Sequence, residues 1–148
     1  MPGKRRSVKK SGPHLSLAVL CQKVLEDTPG VLGLLGIFDC LTLHPKSPDA
    51  AETPKTVLTV LAAVGFRSGD FTGIGRVKIV GTSPSGDAIA EVTTPVAFQG
   101  NEQGCVTQAP IALPVDGEGL YWFDVYLDKK RVTRIPLRIK YQFGEPVA

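Results

Sequence analysis

No stretch of this sequence stays apolar for the roughly 20 residues that a membrane-spanning helix needs. The best candidate, Leu15–Leu25, is interrupted by Gln22 and Lys23, and no membrane contact is expected. Cysteine is scarce. Cys21, Cys40 and Cys105 form an odd set without C-x-x-C spacing, which argues against a disulfide framework and against a zinc site. They read as small reduced residues within strands, with a Cys21–Cys40 bridge as the alternative, and the expected compartment is the cytoplasm of a bacterium. A secretory signal is not expected, because Leu15–Cys21 is followed by Gln-Lys-Val-Leu-Glu-Asp rather than by a small-residue cleavage site. Catalytic sets are missing as well. Neither Ser-His-Asp nor Cys-His residues stand in a supporting context. The glycines of Gly69–Arg76 come without a Walker lysine or a following helical pattern, so they read as a turn rather than a phosphate cradle. The expectation is a non-enzymatic protein with no catalytic residue, no cofactor and no metal.

What the chain does have is enough apolar residues for one core. Its 148 residues are 43% hydrophobic and 21% charged, a soluble globular composition. The net charge of +3 is unevenly placed. Lys4, Arg5, Arg6, Lys9 and Lys10 crowd the start; without those five of the 17 cations, 12 face 14 acidic residues, a net of −2. Residues 1–13 are polar and broken by Gly and Pro, so a disordered basic N-terminal tail is expected. A globular domain over residues 14–142 and a flexible end over 143–148 complete the division.

Alternation of apolar and polar residues gives about eight strands. The first, Leu15–Leu25, and the second, Val31–Leu43, flank Glu26-Asp27-Thr28-Pro29-Gly30 and read as one hairpin. A helix over Leu15–Glu26 is the rival, since Leu17, Leu20, Cys21 and Val24 also fit helical spacing; Gly33, Gly36 and Ile37 in the second run favour strands. Three prolines in residues 44–55 make a loop. The third strand, Thr56–Phe66, is apolar on both alternating faces, which suits a strand covered on both sides or one at an oligomer interface. Strands follow near Gly73–Thr82, Ala88–Phe98 (bent at Pro95), Cys105–Val115, Leu120–Leu127 and Val132–Tyr141. Pro110 and Pro114 put the sixth at an edge or a bulge.

The last two strands alternate most cleanly. A three-residue loop, Lys129-Lys130-Arg131, would oppose Val125 to Ile135, Phe123 to Leu137 and Tyr121 to Ile139, burying no charge. It would also set Arg138 opposite Trp122 and Arg134 opposite Tyr126 on the outer face. Exposed Trp, Tyr and Arg are common interface anchors, so Trp122, Tyr126, Arg134 and Arg138 are candidate partner-binding residues; cation–π pairing among themselves is the plainer reading. The five tail cations are candidate nucleic-acid or anion contacts, through salt-sensitive, sequence-independent attraction to phosphate, or else simply solubilise the chain. His14 and His44, at the same end of the expected hairpin, could hold a metal with Asp39 or Asp49, but solvated loop histidines explain them more simply.

Three motifs carry a family likeness: Leu20-Cys21-Gln22-Lys23-Val24 with Leu35-Gly36-Ile37-Phe38-Asp39, Ser83-Pro84-Ser85-Gly86, and Gly119-Leu120-Tyr121-Trp122-Phe123-Asp124-Val125. With them the chain resembles a family of small bacterial immunoglobulin-like β-sandwich proteins of unknown function, from about Leu15 to Tyr141. The resemblance implies a fold and a bacterial origin and brings no catalytic residues. Together the readings give an all-β protein: an antiparallel immunoglobulin-like sandwich that binds a protein partner or itself. A nucleic-acid accessory protein using the basic arm is the alternative.

Overall fold

A computed structural model describes residues 11–45 and 56–143. In chain order the strands are β1 (His14–Cys21), β2 (Lys23–Thr28), β3 (Val31–Leu35), β4 (Cys40–Leu43), β5 (Thr56–Arg67), β6 (Thr72–Thr82), β7 (Ala88–Gln99), β8 (Gly104–Val115), β9 (Gly119–Leu127) and β10 (Lys130–Tyr141). They form sheets in the orders β1-β5-β8 and β4-β10-β9-β6-β7, with β2 and β3 paired apart. No helix among the described residues is long and apolar enough to cross a membrane, which says nothing of a β-barrel.

Period-two alternation builds the core. Val60, Ala62, Val64 and Phe66 of β5 and Ala109, Ile111 and Leu113 of β8 face Val77, Ile79, Phe123, Val125, Leu137 and Ile139 of the other sheet. Phe66 meets Phe98 across the layers edge to face, with centroids 5.8 Å apart. Burial of aromatic and branched side chains at about 25 cal/mol per Å² is the main force holding the layers together.

The pairing order is that of an immunoglobulin-like domain whose first strand is divided between the two sheets. Its local mark is Tyr121. This side chain is fully buried at the start of β9, and its hydroxyl donates to the Gly117 carbonyl at 2.7 Å. That is the tyrosine corner of the immunoglobulin fold, and burial raises the phenol's pKa.

The expected opening hairpin is the main correction. Leu15–Leu25 is two strands, and so is Val31–Leu43, which turns eight runs into ten strands. β1 pairs antiparallel with β5, whereas β4 pairs parallel with β10 on the opposite sheet. Only β2 and β3 form the hairpin. Leu20 of β1 and Leu41 and Leu43 of β4 pack on the core from different layers, so the two halves are pulled apart by burial that local periodicity does not encode. At Pro95, where a bend is expected, the pairing with β6 continues without a register shift. β7 is continuous, and as the edge strand of its sheet it tolerates the missing amide. β8 lies at an edge, as Pro110 and Pro114 require.

The β9–β10 register differs by two residues from the expected one. The turn is Asp128-Lys129, with Asp128 at φ 54°, and a bulge at Val132 follows. Phe123 therefore opposes Ile135, and Tyr121 opposes Leu137. Asp128 decides this by docking on β6: its amide donates to the Arg76 carbonyl at 2.8 Å, and its carboxylate accepts from the Arg76 amide at 3.0 Å. A two-residue slip preserves the faces, so the buried set is as expected while the outer neighbours change.

Candidate interaction surfaces

Three surfaces stand out. The first is the β2–β3 arm. Leu20 bridges Phe38, and Lys23 to Glu26 pair with Leu35 to Leu32 in the same register. The arm thus continues β1 past its last pair with β5, Cys21–Leu61, and is bent at Gln22. The Gln22 amide donates to the Leu35 and Gly36 carbonyls, at 3.0 and 3.1 Å. Gly36, at φ 66°, leaves the space that the Gln22 side chain occupies. At the tip, the Glu26 carboxylate accepts from the Gly30 amide. The arm and its return segment expose Leu25, Val31, Leu32, Leu35 and Ile37, the last at 59%. Among the described residues, each arm strand pairs only with the other, so both outer backbone edges are open.

The second surface is the outer face of β1-β5-β8. Register fixes its rows: Leu17–Gly65–Val106, Val19–Ala63–Gln108, Cys21–Leu61–Pro110, Thr59–Ala112 and Val57–Pro114. No row contains a charge. Val57 is 64% exposed and Val106 42%. The expectation that β5 is apolar on both faces holds here. A groove lined by Cys21, Gln22, Phe38, Leu61 and Pro110 joins this face to the base of the arm.

The third is the outer face of the other sheet. Arg134 opposes Asp124 rather than Tyr126, bonds its carboxylate at 2.6 Å, and lays its guanidinium 4.4 Å from the Trp122 ring centroid. Trp122 opposes Pro136 rather than Arg138, and Arg138 opposes Leu120. Tyr126 instead has the Lys78 ammonium 5.9 Å from its ring centroid. The four candidates therefore share a face, and the cation–π contact among them is that of Arg134 with Trp122. The two-residue turn is the reason.

His14 and His44 lie at opposite ends of the sandwich. His14 pairs with Arg67, while His44 follows Leu43, which pairs with Tyr141 near Glu118. The divided hairpin separates them, and no group of three or more metal-ligating residues occurs among the described residues. Asp49 and the cations Lys4, Arg5, Arg6, Lys9 and Lys10 lie outside the described residues. Cys21, Cys40 and Cys105 are free, so the Cys21–Cys40 bridge does not form here. Burial raises the pKa of the Cys21 and Cys105 thiols, the opposite of what a nucleophile needs.

A family model of unknown function, DUF6941, matches residues 16–140. The chain belongs to this family. Among the solved structures similar to this DUF6941 chain is an immunoglobulin-like protein from Pseudomonas aeruginosa. It is 8% identical, covers 89% of this chain and 99% of its own, and superposes with a TM-score of 0.43. No curated protein matches. The arm falls inside the matched segment, as do all three surfaces.

Proposed function

We propose that the protein is a non-enzymatic interaction module that holds a protein partner through the β2–β3 arm. One observation carries this reading. The arm stands apart from the two sheets of the sandwich, and it and its return segment expose five large hydrophobic side chains and, among the described residues, two open strand edges. Apolar surface gathered in this way is characteristic of contact sites, and an open edge can add a partner's strand through backbone hydrogen bonds. The three free cysteines fit work in a reducing cytoplasm; denaturing alkylation of all three thiols in freshly lysed cells checks that placement. Replacing Leu25 and Leu32 by Ser tests the arm. Loss of the assembly or of a captured partner, with the melting temperature held, supports the reading. Unchanged assembly refutes it.

A second reading has its own support. Arg76, Lys78, Arg134, Arg138 and Lys140 stand on the outer face of the five-stranded sheet against Glu91 and Asp124. Together with the five tail cations this excess could attract a nucleic-acid backbone. Salt-dependent gel shifts of the full chain and of a chain lacking residues 2–12 separate the two sources, and no shift at low salt ends the idea.

A further inference from the structure

We propose that the uncharged outer face of β1-β5-β8 is the contact surface for a second copy of this chain, the two copies related by a two-fold axis that runs the strands in opposite directions. The inference rests on the interaction-module reading and names its partner.

Charge points to a second copy. Across β1, β5 and β8 the only Lys, Arg, Asp or Glu is Arg67, and it is paired with Glu102 at the sheet's end. A two-fold contact sets a patch against itself, so it must be self-complementary. The opposite sheet fails this test, because its five outward cations would meet their own copies with only two acids among them. The uncharged face passes it. At its centre Ala63 is fully buried, while Val57 and Val106, toward the two ends of the face, are exposed and available to a second copy.

Size agrees. Three rows of three residues and two rows of two, with strands about 4.8 Å apart, offer about 425 Å² of flat area per copy, and the arm adds about 200 Å². The total over both copies is about 1,250 Å², at the lower end of the class of specific interfaces.

The arm and the tail set the direction. The acidic tip, Glu26 and Asp27, lies about 40 Å along the ladder from His14. Lys4, Arg5, Arg6, Lys9 and Lys10 are within seven residues of Ser11, about 25 Å of extended chain at most, so they do not reach the tip of their own arm. When the second copy's strands run the opposite way, its tail starts at the end where the first copy's arm projects. The five cations that precede Ser11 in one copy are then within chain reach of the acidic tip of the other, at each end.

Sedimentation equilibrium of the full chain, from low to high micromolar concentration, tests this with three variants at the exposed positions 57 and 106. The parent is expected to dimerise. Val57→Lys with Val106→Lys repels itself in either direction and should weaken the dimer about tenfold or more. An equimolar mixture with the Val57→Glu, Val106→Glu chain should restore it. Val57→Lys with Val106→Glu should keep the dimer if the strands run oppositely, because residue 57 then faces residue 106; loss of this dimer overturns the proposed direction. A parent that stays monomeric throughout, or charged variants that dimerise like the parent with unchanged melting temperatures, overturns the contact. If the parent is monomeric while the Leu25→Ser, Leu32→Ser chain loses a captured partner of other sequence, this inference fails and the interaction-module reading stands. If the arm variant changes neither assembly nor capture while the charged variants break the dimer, the arm reading fails and the face contact stands.

Discussion

Replacing Tyr121 by Phe removes one hydroxyl and leaves the packing of a fully buried ring. In the folded protein that hydroxyl ties the start of β9 to the Gly117 carbonyl, closing the corner between β8 and β9. A neutral intramolecular hydrogen bond contributes about 1 kcal/mol net. Gly117 is only half-buried, so water can take over part of its carbonyl, and the estimate stays near that figure rather than above it. For a domain of this size, about 1 kcal/mol corresponds to a fall of about 3–4 °C in melting temperature. Calorimetry at neutral pH reads the shift directly, and urea titration should show a lower midpoint with unchanged slope. The same variant has an alkaline signature. Burial raises the Tyr121 pKa, so above about pH 10 the unfolded chain gives up its proton before the folded one does. Stability from this group is complete below that pH and is lost as pH rises through the folded pKa. Tyr141, raised for the same first reason, titrates with the same sign. The Phe variant is therefore less stable at pH 7 but loses less on going to strong alkali. A melting temperature within about 1 °C of the parent at pH 7, together with an identical alkaline limb, would refute the corner as an energetic element.

Other consequences can be checked on the same material. Leu137→Ala empties a site with no solvent exposure and should cost about 3–5 kcal/mol, read by urea unfolding. Gly36→Ala forces a side chain into a left-handed backbone and against Gln22; a local cost of about 1 kcal/mol should speed exchange of the Gln22 and Phe38 amides roughly fivefold, while core amides stay protected. Arg134→Ala uncovers the Trp122 ring and shifts its fluorescence, yet lowers stability by less than about 1 kcal/mol, because the arginine is partly exposed and its ion pair is screened.

Much of this fold is written in local pattern. Tyr121, Phe123, Val125 and Ile135, Leu137, Ile139 alternate so regularly that their burial follows from the sequence, and the two-faced character of Thr56–Phe66 follows in the same way. Partners are less legible. Cys21 and Lys23 are two residues apart, yet one ends a strand of the sandwich and the other begins the arm, because Leu20 and Leu41 answer to different layers. Asp128 shows the same limit. Its chemistry suits a turn, but the choice between a two- and a three-residue loop depends on Arg76, some fifty residues away. The outer-face candidates were accordingly placed on the right side of the sheet with the wrong neighbours. The tyrosine corner had a readable signal in Gly117 four residues before Tyr121, although its meaning needs the pairing order. The exposure of Leu25, Val31, Leu32 and Leu35 had none, since an apolar run looks the same whether it is covered or open.

The most direct test of the account is cross-linking from the arm. A photoreactive residue at position 32, in the full chain within its native cell, is predicted to give one dominant protein adduct. For the two-fold assembly, that adduct is a second copy, joined near Ser11. The same residue placed at Ala97, on the exposed side of β7, should give none of it. Adduct formation at position 32 no greater than at position 97 would contradict the claim that the arm is the protein's contact element.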